Sequence, residues 1–295
     1  MGILLDRLAQ KKLLVSDGAW GTMLQAAGLT GGACPEEWNI THPEQVEKVA
    51  RAYQDAGADL VLSNTFGGTK AKLEKVGLGD RVAELNEAGA KLSLAGAPNC
   101  IVAASVGPTG EFMEPVGEVT EDQMQAFFEE QIAALYKGGV RAVCIETMSA
   151  IEEIVCAIRA AKKIDKNIDV IATMTFEASP KGYKTMMGVD CERAAKELDT
   201  AGADVIGANC GNGIDQMIII TGELRKYSQK PILIHANAGL PVLVNGQTTF
   251  KQTPQDMAAK VKELIDAGAS IIGGCCGTTP AHITAIKAQI DQWRS

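Results

Sequence analysis

Eight times along the chain a short run of aliphatic and β-branched residues is followed by a segment with helical spacing, and this alternation constrains the fold more than any other feature. The runs begin near Leu13, Ala58, Cys100, Ala142, Asp169, Ala203, Pro231 and Ala269. Strands that alternate with helices imply βαβ units and a parallel sheet. Several helical segments end alike just before a run, at Ala56-Gly-Ala-Asp59, Lys137-Gly-Gly-Val140, Ala201-Gly-Ala-Asp204 and Ala267-Gly-Ala-Ser270. Glycine there is expected to cap the helix and turn the chain into the next strand. Runs such as Asp59-Leu-Val-Leu-Ser63 and Pro231-Ile-Leu-Ile-His235 are nearly continuous in apolar residues, as strands covered on both faces must be. Eight such units predict a (β/α)8 TIM barrel. The rival, an open doubly wound sheet, lacks support because no glycine-rich dinucleotide fingerprint follows the first run. The expected organisation is one barrel domain over residues 1–295, with a short amphipathic helix within Met1–Val15.

Composition narrows the partners. The chain is 46% hydrophobic and 22% charged, enough for a large core, and its net charge of −8 would repel both nucleic acid and an anionic membrane surface. Asp6, Arg7, Lys11 and Lys12 interrupt the first helix, so it has no signal-peptide core. No apolar run approaches the roughly 20 residues a membrane span needs. A cytoplasmic protein with a small-molecule or protein partner is expected. Its eight cysteines then read as reduced thiols or metal ligands rather than as a disulfide framework.

In a barrel of this kind the active site lies at the C-terminal ends of the strands. Long loops are expected there after strands one, three, five and seven, at about Trp20–Glu44, Pro108–Glu121, Glu177–Asp190 and Ala238–Gln255. The strands themselves end in Asp17, Asn64, Ser105, Glu146, Thr175, Cys210, Asn237 and the pair Cys275-Cys276. A ring of polar residues at these positions carries a desolvation cost, which points to function. Cys210 ends the sixth strand and the vicinal pair ends the eighth, so three thiolates could converge. Neighbouring residues on a strand face opposite ways, and both cysteines of the pair can serve one site only where the strand breaks, as Gly274 and Gly277 permit. Three soft thiolates suit zinc and leave a fourth coordination position open for a substrate. A thiol entering it would be held as its thiolate, a nucleophile.

Glu146, with help from Asp17, is placed to face a substrate ammonium; alternatively Asp17 caps a helix and Glu146 sits in a structural ion pair. Backbone amides of Asp17–Thr22, Gly18 included, or of Ser105–Pro108 are candidates for a substrate carboxylate, and Asn64 for a further polar contact. Thr279-Pro280 reads as the start of the last helix. His235 reads as a residue of the barrel interior and His282 as a solvent-facing helical residue. The segment Lys181-Gly-Tyr-Lys-Thr-Met-Met187 reads as an apolar cover.

The motifs Asp17-Gly-Ala-Trp-Gly-Thr22, Ser63-Asn-Thr-Phe66, Glu146-Thr147, Asn209-Cys-Gly211, Asn237-Ala-Gly-Leu-Pro241 and Gly273-Gly-Cys-Cys-Gly277 together resemble the homocysteine S-methyltransferase family across nearly the whole chain. The resemblance is greatest to the homocysteine-binding module of cobalamin-dependent methionine synthase. It implies that Cys210, Cys275 and Cys276 bind zinc, that Glu146 and Asp17 hold the homocysteine amino group, and that Asn237 fills the fourth zinc position without substrate. No histidine sits in the Asp-x-His-x-x-Gly pattern that ligates cobalamin, so a corrinoid would arrive on a separate protein. The expected activity is methyl transfer to homocysteine, giving methionine, from such a methyl-corrinoid protein or a small methylated compound. Three other readings remain open at this stage. They are a related barrel moving methyl groups between another substrate and a corrinoid protein, a non-catalytic zinc or redox-sensing thiol module, and a metal-dependent lyase. The last would prefer histidine ligands, and the chain has only three histidines.

Overall fold

A computed structural model describes residues 2–180, 182–244 and 247–294. Eight parallel strands form one sheet: β1 (Leu14–Val15), β2 (Leu60–Leu62), β3 (Ile101–Val106), β4 (Ala142–Met148), β5 (Asp169–Met174), β6 (Val205–Asn209), β7 (Ile232–Ala236) and β8 (Ile271–Gly274). Each pairs with its sequence neighbour, and β1 also pairs with β8. A single bridge between Ser16 and Leu60, flanked by hydrogen bonds from Asp59 N to Val15 O and from Asp17 N to Leu60 O, joins β1 to β2 and closes the barrel.

Strand alternation divides the apolar residues into two layers. Leu14, Leu60, Leu62, Ile101, Ala103, Ala142, Cys144, Ile171, Val205, Leu233 and Ile271 form the interior cluster, while Val15, Val61, Val102, Val143, Val170, Ile206, Ile234 and Ile272 pack outward against the helices. The glycines expected as helix caps behave as such: Gly57, Gly139, Gly202 and Gly268 all have φ between 93° and 113°. An L-residue adopts that conformation only with strain, so the caps enforce the repeating helix-to-strand turn.

The N-terminal helix, Ile3–Lys11, plugs the N-terminal end of the barrel. Leu4 and Leu8 join the interior cluster, and Leu4 N donates to Asp169 Oδ2 at 2.8 Å. Arg294, at the end of the last helix (Pro280–Arg294), reaches Leu13 O and Asp59. All eight cysteines are free thiols. Among the described residues no helix is long and apolar enough to cross a membrane.

Four local expectations are corrected. The segment after β1 is not simply a loop: it carries a helix at Trp20–Ala26, a 3-10 turn at Pro35–Glu37 and a helical turn at Trp38–Thr41. The segments after β5 and β7 form antiparallel hairpins, Glu177–Ser179 with Gly182–Lys184 and Val242–Val244 with Gln247–Thr249; Lys181, Asn245 and Gly246 lie outside the described residues. Within the first hairpin segment Met186 is 74% and Met187 40% exposed, so these two methionines face solvent rather than forming an apolar cover. His282 is buried rather than solvent-facing. Its Nδ1 meets Thr279 at the start of the last helix and its Nε2 meets Gln252 O, so it ties that helix to the segment after β7.

Candidate active site

Above the interior cluster the C-terminal ends of the strands surround a cavity of about 520 Å³, lined by residues that include Gly18, Trp20, Asn64, Phe66, Ser105, Glu146, Thr147, Cys210, His235, Cys275 and Cys276. Residues of the segments after β1 and β2, such as Cys34, Glu36 and Leu73, build its outer wall.

The three cysteines converge. Their sulfur atoms all lie within 4.8 Å of one another, and Cys210 Sγ is 3.8 Å from Cys276 Sγ. The convergence needs two departures from strand geometry. Cys275 continues the inward parity of Ile271, whereas Cys276 turns back into the site through the bend at Gly277, whose φ is 81°. Gly274, the other expected break, retains strand geometry. A Cβ there would lie 2.4 Å from Thr278 Oγ1, so close approach is what requires glycine. On β6 inward parity belongs to Asn209, and Cys210 reaches the site because it adopts φ 61° itself, followed by Gly211 at 71°. Left-handed backbone at a residue other than glycine costs about 1–3 kcal/mol and is held only where the surroundings demand it. Of three such residues among those described, two, Thr147 and Cys210, line the cavity.

The turn at the vicinal pair is latched by Thr278, which is fully buried. Its Oγ1 donates to Cys275 O at 2.7 Å and accepts from Ala19 N at 3.1 Å. Gly18 is glycine for the same reason, since a Cβ there would lie 2.7 Å from Thr278 Oγ1.

The thiols are electrostatically coupled. Hydrogen bonds from Cys275 and Cys276 hold Cys210 well below the usual thiol range, while donating to it pushes its two neighbours above that range. Within the cluster Cys210 is therefore the thiol most readily ionised, with its two neighbours as donors. Beside it Asn237 is buried, with its side-chain amide turned to Cys210 and its Oδ1 without a hydrogen-bond partner. An orphaned buried carbonyl oxygen is costly. Thiolates at about 2.3 Å around a tetrahedral ion sit about 3.8 Å apart, so the donor set and its spacing both fit zinc.

Glu146 projects from β4 into the cavity. Its Oε1 accepts from Ser105 Oγ at 2.5 Å and its Oε2 from Asn209 Nδ2 at 3.3 Å. Burial, opposed by the Ser105 hydrogen bond and reinforced by Asp17 and Cys210, pushes its carboxyl up to about 7. No cation pairs with it among the described residues, so the ion-pair alternative is set aside.

Asp17 does not reach the cavity. It lies fully buried and accepts from Leu62 N at 2.7 Å, Trp20 Nε1 at 2.8 Å and Ser16 Oγ at 3.3 Å. It therefore anchors Trp20 on the cavity wall, and it caps no helix, because the N-cap of Trp20–Ala26 is Ala19. Burial outweighs those hydrogen bonds and pushes Asp17 up to about 7.

Asn64 lines the cavity, but its Nδ2 is spent on Pro35 O and Asn39 Oδ1. Of the backbone amides considered for a carboxylate, Ala19 N is taken by Thr278 and Gly107 N by Phe66 O. His235 is buried in the floor, its ring pushed down to about 4 by burial, and is neutral at pH 7.

Sequence reasoning passed over Asn209 and Thr278 as individual residues. Asn209 is legible from parity, because an amide at the inward position of an otherwise apolar strand must be bonded to something. Thr278 leaves no such mark.

A closed parallel barrel that gathers three thiols and a buried carboxylate at its C-terminal mouth is the framework of a thiol-activating enzyme. The homocysteine S-methyltransferase family model matches residues 14–290, and the chain belongs to that family of S-methyltransferases. The chain is 32% identical to the methionine synthase of Mycobacterium tuberculosis and 31% to that of Mycobacterium leprae, over 97% of its own length. It spans about a quarter of the length of those relatives. Among solved structures, the homocysteine methyltransferase MmuM from Escherichia coli in its metallated form has the same fold. It aligns with a TM-score of 0.81 at 24% identity, covering 97% of this chain and 99% of that one. Family membership in an enzyme class sets aside the reading of a non-catalytic thiol module.

Proposed function

We propose that this chain methylates homocysteine to give methionine and that its residues 1–295 act as one homocysteine-binding barrel domain. Cys210, Cys275 and Cys276 would hold a zinc ion, with Asn237 the displaceable fourth ligand. The chemistry zinc supplies when bound is the stabilisation of the substrate sulfur as a thiolate at neutral pH. The observation that carries the reading is the convergence of three thiols beside an unpaired buried carboxylate in one cavity.

In this reading Glu146 accepts the substrate ammonium, and Ser105 fixes the carboxylate that receives it. Its ionised form, disfavoured by burial, becomes the favoured one once a cation pairs with it. Asp17 acts from behind the wall: it adds negative potential and fixes Trp20. Gly18 lets the chain pass closely over Thr278 beside the cavity, and Asn64 shapes the wall between the segments after β1 and β2. The methyl donor is a separate methyl-corrinoid protein or a small methylated compound, and the likeness to methionine synthases supports the first. The acidic surface and apolar cavity suit a small-molecule site in the cytoplasm rather than a nucleic-acid or membrane surface.

The test is methionine formation from homocysteine by zinc-loaded protein offered methylated cobalamin and a panel of small methylated compounds. Methionine formation with any donor, abolished in Cys276→Ser, is expected. A zinc-loaded protein that does not bind homocysteine at all would refute the substrate assignment.

A further inference from the structure

Asn209 is fully buried between the ends of β4 and β6, and its side-chain amide uses its whole hydrogen-bonding capacity. Oδ1 accepts from Thr147 N and from Thr173 Oγ1, both at 2.7 Å. Nδ2 donates to Thr147 Oγ1 at 2.7 Å and to Glu146 Oε2 at 3.3 Å. Its backbone is fixed as well, since Asn209 O accepts from Thr175 Oγ1 at 2.9 Å. The residue that follows is Cys210, whose own N donates to His235 O at 3.1 Å.

This one amide therefore grips the Glu146–Thr147 turn on one strand, while its main chain leads directly into the thiol cluster on another. The two cavity residues with left-handed backbone, Thr147 and Cys210, are respectively its hydrogen-bond partner and its chain neighbour. A buried amide with four bonds has one orientation, so the end of β4 cannot shift against the end of β6 without breaking several of them.

We propose that Asn209 is a positioning residue that sets the spacing between the carboxylate at Glu146 and the thiol cluster at Cys210, and so makes the site select an α-amino thiol by its number of methylene groups. The inference rests on the reading that Glu146 receives the ammonium and the cluster receives the sulfur. Homocysteine and cysteine carry the same two groups and differ by one methylene between them. A rigid pair of subsites can be matched to only one of the two lengths, and a difference of one methylene is worth roughly 10- to 200-fold in such sites.

The experiment is calorimetric titration of the zinc-loaded full chain with homocysteine and with cysteine, for the wild type, Asn209→Ala and Asn209→Asp, with zinc content measured on each. Asn209→Asp has the same shape and keeps both acceptor contacts but sets a second carboxyl against Glu146 in place of the amide donor, so it tests the grip on Glu146 if Asn209→Ala does not fold. In the wild type homocysteine should bind at least about tenfold more tightly than cysteine. In the variants homocysteine should weaken by about tenfold or more while cysteine changes little, with zinc content unchanged, so that the preference collapses. Equal weakening of both thiols, or an unchanged preference in either folded variant, overturns the proposal and leaves Asn209 with a structural role. A zinc-loaded wild type that binds neither thiol overturns instead the functional reading on which it rests.

Discussion

The two ends of the barrel bury carboxylates in opposite ways. At the N-terminal end Asp59 accepts from Lys11 Nζ at 2.5 Å and Val15 N at 3.1 Å and lies 3.6 Å from Arg294. These groups join the first helix, the first strand and the last helix to the barrel floor. At the C-terminal end Asp17 and Glu146 are buried as deeply, yet neither has a cation partner among the described residues, and both are pushed up to about 7. Beside them lies the thiol cluster, in which Cys210 is held below the usual thiol range by its neighbours. A buried carboxylate that is paired secures the fold, whereas one left unpaired raises the energy of the folded state until a ligand supplies the missing charge. Stability is thus concentrated at one end and binding capacity at the other.

The largest effect that would sharpen this contrast is at the thiols. Cys210→Ser should lower methyl transfer roughly a hundredfold or more while the protein stays folded, because a hydroxyl is a far weaker ligand than a thiolate for the proposed zinc ion. Measuring turnover beside circular dichroism checks both halves. Next comes Glu146→Gln, expected to raise the KM for homocysteine about a hundredfold, the usual effect of removing one partner from a buried charge pair. Its melting temperature should be unchanged or higher. A fall in stability without a change in KM would place Glu146 with the structural carboxylates and break the comparison.

Asp59→Ala should behave in the reverse manner, with a loss of about 2 kcal/mol in denaturant unfolding and unchanged kinetic constants. A further test is the pH dependence of the metal-free protein. Raised carboxyl values mean that the folded chain holds protons at Asp17 and Glu146 that the unfolded chain has released. Their stabilising protonation is complete below about pH 4 and is lost as pH rises through about 7. Thermal melts should therefore show stability falling across that window, and the double variant Asp17→Asn, Glu146→Gln should flatten the profile.

Much of this arrangement is legible in the sequence. The barrel follows from eight repeated apolar runs and from the glycines at 57, 139, 202 and 268, whose left-handed backbone the local sequence already demands. The three cysteines and Glu146 are legible because each stands at a strand end. Asp17 shows the limit of that reasoning: position in the strand places it near the mouth, but its carboxylate is held in the wall by a tertiary hydrogen bond from Leu62 N, 45 residues away, that no spacing encodes. The burial of His282 has the same origin, since its partner Gln252 is 30 residues away. The exposed Met186 and Met187 show that apolar composition alone does not identify a cover. Cys210 is the most instructive residue, because strict parity would turn it away from the site and assign the inward place to Asn209. Both serve, one by a strained backbone and the other by its amide.

Zinc content measured on protein purified under reducing conditions, beside Cys276→Ser, decides whether the thiol cluster is a zinc site that activates a substrate thiol. About one zinc per chain is expected in the wild type, with loss of both the metal and homocysteine binding in the variant. A folded, metal-free wild type that binds homocysteine as well as the variant does would contradict it.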